Sequence, residues 1–503
     1  MNLAHIIDDH AADSTALICR GRATTYGELR DQVARMRGGL ASLGVVHGDR
    51  VALLLGNSRQ FVVSYLATIG LGAVAVPLNP TSPGPELENE LSVVAAKVVI
   101  VDKVSVANWS HVDPAVVPTV TTVVDTEGGG DGMVGFDDLL VAEPLEAVEV
   151  DPSDLAALMF TSGTAGAPRA AMLSHGNLWA NLEQSLSAEG HITASDVIYG
   201  VLPLFHIFGL NVVIGLGLRV GATLLLVQRF DPSTAIQSIQ DRGVTVIPGA
   251  PALWAAFAHF DELSPDAFAT VRLALSGASR LPVSVAETVR DRFGIEIREG
   301  YGLTEASPIV TTSTGGPVRF GSVGRALAGV EIRLVNADGD ALVGDVGEIW
   351  VRGDNVFPGY YEDPEATAVV LSDDGWLRTG DMGTTDDDGY LYLVDRSKDL
   401  IIVSGFNVYP AEVEEMLVMH PAVVEAAVVG VPHPHTGEAV KAYVVTNTDA
   451  VDEDALIEHS LDHLARYKCP TKVIFVDALP RNVSGKLVRR SLDDALRVGA
   501  SLI

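Results

Sequence analysis

From residue 26 to residue 101 the chain alternates stretches of helical length, 26–43 and 58–71, with short and almost wholly apolar runs, 51–55, 73–77 and 98–101. Such strands, separated by segments long enough for a crossover helix, leave few folds open: the strands lie parallel and helices cover the faces of the sheet. The pattern resumes at 224–227, 244–248 and 273–276, which predicts a second α/β layer. From 321 to 393 the texture changes to VEIRLV, GEIWV and GYLYLV between Gly and Asp turns, predicting a small β-barrel or antiparallel subdomain. Beyond residue 395 strands (400–403, 423–431, 441–445, 473–476) and helices (411–419, 452–464) interleave over about a hundred residues, enough for an α+β domain. The predicted fold class is therefore α/β: a large N-terminal domain, 1–395, of two α/β subdomains plus the barrel, and a smaller α+β C-terminal domain, 396–503.

Composition narrows the function. The 503 residues hold 34 Lys and Arg against 65 Asp and Glu, a net charge of −31, which disfavours nucleic acid and anionic lipid as partners. The two cysteines, Cys19 and Cys469, are too far apart in sequence to suggest a metal site or a disulfide framework. The N-terminal MNLAHIIDDHAADS has no basic start, so the reading is a cytoplasmic protein without a targeting segment. The most apolar stretch, 207–227, is interrupted by Asn211, Arg219 and several glycines, and is predicted to be buried core rather than a spanning helix, so no stable membrane insertion is expected.

Residues 160–174 read FTSGTAGAPRAAMLS. Thr161, Ser162 and Thr164 supply hydroxyl donors, Gly163 and Gly166 let backbone N–H groups converge, and Arg169 adds a charge suited to phosphate. No Gly-Lys-Ser or Gly-Lys-Thr closes the loop, which excludes the common nucleotide-binding P-loop. Alone, it is also compatible with an ordinary Gly-rich connection.

Four further segments decide between these readings. Together with FTSGTAGAP, the stretches YGLTEASP (301–308), GWLRTGDMG (375–383), DRSKDLIIVSGFNVYPAEVE (395–414) and PRNVSGKLVRR (480–490) resemble the adenylate-forming superfamily, in its order and over nearly the whole chain. Within it the chain is most similar to acyl-CoA synthetases, the fatty acid and aryl acid CoA ligases. The resemblance implies a two-step reaction: a carboxylate attacks the α-phosphate of ATP, giving an acyl-adenylate and pyrophosphate, and the thiol of coenzyme A then displaces AMP. Two anions must meet in the first step, which calls for Mg²⁺ and a lysine to screen them.

By the same resemblance, Lys486 is the catalytic lysine, Thr304 contacts the α-phosphate, and Glu305 and Thr164 are ligands of Mg²⁺. Thr161, Ser162, Gly163, Thr164, Gly166 and Arg169 grip the terminal phosphates. Tyr301, between Gly300 and Gly302, stacks on adenine, and Gly277, Ala278 and Ser279 line the other side of the nucleotide. Asp381 and Arg396 bind the ribose. Lys398 is the hinge about which a mobile C-terminal domain swings, bringing Ser404, Gly405 and Phe406 to the coenzyme A tunnel. His206 borders the reacting carboxylate, and Phe208, Val212, Val213 and Trp254 are candidates for an apolar acyl pocket, with ordinary core as the other reading.

The chain departs from the family loop, TSGTTGxPKG, at Ala165, Arg169 and Ala170; one hydroxyl is lost and the charge is kept in a form that can bind phosphate bidentately. No Asp follows His206 within 207–215 to pair with a substrate ammonium, so a simple carboxylic acid, fatty or aryl, is favoured over an amino acid. An adenylating enzyme that loads the phosphopantetheine of an acyl carrier protein, and a noncatalytic binding protein of the same fold, are the alternatives. Monomer and homodimer both remain open.

Overall fold

In the computed structural model the alternation read from the sequence becomes two sheets flanked by helices. The structure describes all residues except 129, 131, 162–168, 337–338, 343, 397–400, 404–405, 434–435, 448–450, 465, 482–486 and 493–503. A seven-stranded sheet runs in the order Val134–Gly135, Thr122–Asp125, Val98–Val101, Arg50–Leu54, Val74–Pro77, Leu155–Thr161, Arg169–Ser174. Its pairs are parallel except the last, and the central strands Val74–Pro77 and Val98–Val101 are buried throughout, as their apolar runs require. A nine-stranded sheet is ordered Arg325–Ala326, Ile309–Thr312, Ile297–Gly302, Leu273–Ser276, Val246–Gly249, Val197–Gly200, Thr223–Leu226, Thr15–Cys19, Arg22–Thr25.

Local chemistry sets the helix starts. Thr25 and Glu28 form a reciprocal capping box at helix Tyr26–Ser42, Ser58 caps Arg59–Gly70, and Ser174 with Asn177 closes a second box at His175–Leu186. The interrupted apolar stretch is core, as expected, but its first half is a nine-residue π-helix, Phe208–Leu216, buried apart from its first residue. No helix among the described residues is long and apolar enough to cross a membrane.

The chain divides into two compact units. The first comprises residues 1–320, 324–331 and 351–377, with both large sheets; the second comprises 321–323, 332–350 and 378–503. Where the sequence suggested a small barrel or antiparallel subdomain, the described residues form a four-stranded sheet in the order Glu331–Val335, Gly347–Arg352, Leu377–Thr385, Leu391–Arg396. Apolar runs specify strands, but closure depends on whether edge strands pair, which no local pattern encodes. The remainder of the second unit is the expected α+β arrangement. Helix Pro410–Val418, strands Val423–His433 and Gly437–Thr446, helix Glu453–His463 and strand Lys472–Phe475 pack around Val413, Leu417, Val428, Val444, Leu456 and Val473.

Two buried ionisable groups in the first unit bracket its pH range. Glu90, on helix Gly84–Val94, is 6% exposed, its Oε2 has no hydrogen-bond partner among the described residues, and burial, with Glu86 adding, pushes its carboxyl up to about 8. The unfolded carboxyl ionises near its ordinary value of 4.5, so stability falls as pH rises from about 4.5 to about 8. His175 acts at the other end: its Nδ1 accepts Leu3 N–H at 3.0 Å and burial pushes it down to about 4, so stability falls as pH drops below 6.5. Glu90→Gln is expected to stabilise the fold at pH 8 by roughly 2–4 kcal/mol with little effect at pH 5. Urea midpoints at the two pH values test this; equal gains at both would contradict it.

Candidate active site

Strands Leu155–Thr161 and Arg169–Ser174 pair antiparallel with Thr161 opposite Arg169, so the phosphate-loop segment leaves and returns across a single rung. Ser162, Gly163, Thr164 and Gly166 lie outside the described residues. Thr161 Oγ1 stands 3.5 Å from the Arg169 carbonyl oxygen. Arg169 is half-buried; its Nε donates to Asp363 Oδ2 at 3.2 Å, and its guanidinium carbon lies 5.7 Å from the centre of the Tyr360 ring.

The second predicted motif forms on strand Ile297–Gly302, which runs parallel to Leu273–Ser276 and antiparallel to Ile309–Thr312. Gly302 is required because a Cβ there would lie 2.1 Å from Pro308 O, and at Gly300 it would lie 2.9 Å from Thr311 O. Tyr301 between them is buried and donates its N–H to Thr311 Oγ1 at 3.2 Å. The segment Gly277, Ala278, Ser279 leaves the carboxyl end of the neighbouring strand with Ala278 at φ +70°. A Cβ at Gly277 would come within 3.1 Å of the Phe208 ring. The structure thus gathers these residues outside the carboxyl ends of adjacent parallel strands, where open α/β sheets bind ligands. One residue back from Gly300, the Glu299 carboxyl is pushed up to about 7 by burial, against the opposing pull of Leu281 N–H and Arg280.

Thr304 and Glu305 sit in a short 3₁₀ turn, Thr304–Ala306. Sequence reasoning missed what holds that turn. Asn211 Nδ2 donates to Ser307 O at 2.7 Å, and Asn355 Nδ2 to Ala306 O at 2.9 Å. Asn181 exchanges two hydrogen bonds with the Ile309 backbone, at 2.7 and 3.1 Å. Phe357 N–H donates to Glu305 O at 2.8 Å, and Tyr360 O–H to Glu305 Oε1 at 2.7 Å. Burial first, and then the Glu305 carboxylate, hold the Tyr360 phenol far above the usual tyrosine range, so it remains a donor. The one signal for these supports was an asparagine at apolar positions, as in Asn211 within IFGLNVVIGL. Asn355 is fully buried, and Asn355→Ala is expected to cost about 1–3 kcal/mol, read as a lower thermal midpoint together with lower activity. An unchanged midpoint would mean water replaces the amide.

Of the residues predicted for the acyl side, His206 precedes the π-helix, and its Nδ1 accepts Phe208 N–H at 3.2 Å. Phe208 is half-buried, and Val212 and Val213 are buried on the same helix. Trp254 is fully buried against Phe257, its indole N–H donating to Leu275 O at 3.0 Å.

In the second unit Asp381 and Arg396 are backbone register partners in the antiparallel pair Leu377–Thr385 and Leu391–Arg396. The two predicted ribose contacts, 15 positions apart in sequence (396 − 381), are thereby neighbours in the sheet. Phe406 opens strand Phe406–Val408, while Lys398, Ser404, Gly405 and Lys486 lie outside the described residues.

Residues 4–361 match the model of the AMP-binding enzyme family, and 412–486 match that of the AMP-binding enzyme C-terminal domain. A 4-coumarate–CoA ligase of Oryza sativa subsp. japonica is 34% identical over 95% of this chain and 90% of its own length. A long-chain-fatty-acid–CoA ligase of Yersinia pestis is 35% identical over 97% and 93%. The ATP-bound crystal structure of MatB from Rhodopseudomonas palustris superposes with a TM-score of 0.92 at 34% identity, covering 99% of each chain. On this agreement of motif order, fold and similarity the chain belongs to the AMP-binding enzyme family, the adenylate-forming superfamily, and within it to the AMP-forming acid–thiol ligases that make acyl- and aryl-CoA.

Proposed function

We propose that this ligase activates a carboxylic acid with an apolar body, a fatty or aryl acid, through an acyl-adenylate and passes the acyl group to coenzyme A. The observation that carries the reading is the Glu305 carboxylate. It lies in the turn that follows the strand of Tyr301, one oxygen already bonded to Tyr360 and the other without a hydrogen-bond partner among the described residues. Such a hard, half-satisfied oxygen donor fits Mg²⁺, for which Thr164 is the proposed second ligand. When bound, Mg²⁺ supplies charge neutralisation on the phosphates.

The protein's own groups do the rest. Arg169 and the hydroxyls of Thr161, Ser162 and Thr164 hold the terminal phosphates, with Gly163 and Gly166 allowing close approach. Tyr301 packs on adenine against Gly277, Ala278 and Ser279, and Asp381 with Arg396 holds the ribose. Thr304 contacts the α-phosphate, and Lys486 stabilises the charge that develops as the carboxylate attacks. His206 borders that carboxylate, with Phe208, Val212 and Val213 as the pocket wall and Trp254 behind it. A rotation at Lys398, near the proposed boundary at 395/396, then withdraws Lys486 and brings Ser404, Gly405 and Phe406 to the pantetheine arm of coenzyme A. The proposed setting is the cytoplasm, as a monomer or homodimer.

Support for the apolar acid comes from the wall residues and from relatives named for 4-coumarate and for long-chain fatty acids. The acceptor is less constrained, because a solved relative 29% identical, with a TM-score of 0.88, is titled an amide bond synthetase. The test is AMP release with ATP, Mg²⁺ and coenzyme A over a panel of aliphatic, aromatic and amino acids. AMP accompanied by a thioester for one apolar acid supports the reading. Adenylate without thioester moves the acceptor to a carrier protein or an amine, and silence across the panel overturns the proposal in favour of noncatalytic binding.

A further inference from the structure

The side chain that meets Glu305 is unusually well placed for a residue 55 positions away. Tyr360 bridges antiparallel to Ala171, one residue from the phosphate-loop strand's Ala170, whose carbonyl accepts Tyr361 N–H at 2.8 Å; Met172 N–H donates to Gly359 O at 3.0 Å. Tyr360 N–H donates to Thr367 Oγ1 at 2.9 Å. Gly359 has φ +141°, and a Cβ there would lie 2.6 Å from Thr367 Cγ2, so no other residue allows this path. The phenol is thus fixed from both sides before it meets the carboxylate. Over its ring stands Arg169, whose ion pair with Asp363 is about one-third exposed at both ends. An open pair of that kind is weak and is readily exchanged for phosphate.

We propose that Tyr360 is a positioning residue that couples the metal carboxylate to the phosphate cation: it holds Glu305 Oε1 so that Oε2 meets the cation, and its ring carries Arg169 between Asp363 and the triphosphate. The proposal rests on the reading that Glu305 binds Mg²⁺ and Arg169 binds phosphate. A carboxylate that binds metal through one oxygen gains affinity when an outer hydrogen bond stops its rotation, and losing such a partner typically weakens metal binding 10–100-fold. Among the described residues, no residue of the sequence motifs donates to the Glu305 carboxylate; Tyr360 does.

The test uses the full chain and two readouts. Mn²⁺ binding is followed by electron paramagnetic resonance in the presence of a non-hydrolysable ATP analogue, without turnover. The Mg²⁺ concentration for half-activation is measured separately from kcat at saturating Mg²⁺. Tyr360→Phe is expected to weaken Mn²⁺ binding about tenfold and to raise the half-activation concentration similarly, with kcat at saturation within about twofold. Glu305→Gln is expected to abolish the Mn²⁺ signal. Unchanged Mn²⁺ affinity in Tyr360→Phe, with loss in Glu305→Gln, overturns the proposal alone. Retention of Mn²⁺ in Glu305→Gln overturns the metal reading and the proposal with it.

A second variant keeps the coupling falsifiable if the first folds poorly. Asp363 also caps helix Pro364–Val370 by accepting Ala366 N–H at 2.9 Å, a role asparagine can keep. Asp363→Asn therefore releases Arg169 without uncapping the helix, and is expected to lower KM for ATP about two- to threefold. No change in KM overturns the Arg169 half of the proposal. So does the same gain in a Tyr360→Leu background, since losing the ring that carries Arg169 predicts a smaller one.

Discussion

Replacing Lys486 with alanine is expected to slow acyl-adenylate formation by about 10²–10³-fold, the usual loss when a preorganised group facing transition-state charge is removed. Thioester formation from supplied acyl-adenylate is expected to fall by less than about tenfold, well short of that loss, because the rotation proposed at Lys398 withdraws the lysine before the thiol displaces AMP. Single-turnover measurements of each half-reaction separate the two. Equal losses in both would assign Lys486 a structural or general binding role. An unchanged first step would remove it from the chemistry.

Trp254→Ala is expected to destabilise the first unit by about 3–5 kcal/mol, the cost of truncating a fully buried aromatic side chain. Part of that cost is polar, since Leu275 O loses its indole donor. The rings of Phe257 and Phe268, 5.0 Å apart, would border the cavity without filling it. A denaturant midpoint followed by tryptophan fluorescence reads the loss. The same variant decides the role of Trp254 in specificity. If the indole backs the acyl pocket, kcat/KM shifts toward bulkier acids; if it is core alone, the order of preference among acids stays as it was.

Helices and strands were legible because their signals are local: capping pairs such as Thr25 with Glu28, and apolar runs such as 98–101, contain their own reason to form. The π-helix at Phe208–Leu216 was not, because a stretch apolar on every side has no periodicity to distinguish one helical pitch from another. At the site, the residues proposed to face ligand stand in contiguous motifs, where a short phosphate- or base-binding pattern carries its own chemistry. The residues that hold those motifs do not. Asn355 reaches Ala306 across 49 positions, Asn211 reaches Ser307 across 96, and Asn181 reaches Ile309 across 128. Each looks like an ordinary polar residue until the fold brings its partner. The pairing of Asp381 with Arg396 lies between the two cases: the motifs identified both residues, and only the strand register shows them opposite one another.

The chain's route through its two units bears on how it is made. Glu305 belongs to the first unit, yet its supports Asn355, Phe357 and Tyr360 arrive only after the chain has passed through residues 332–350, which belong to the second. At typical synthesis rates of about 5–20 residues per second, the 55 residues from Glu305 to Tyr360 represent roughly 3–11 s during which a nascent chain carries the turn without its braces. Ribosome-bound chains arrested before residue 355 should therefore carry the Glu305 turn unbraced even though both large sheets have already been synthesised, and protection of that turn from proteolysis should appear in one step as residues 355–361 emerge.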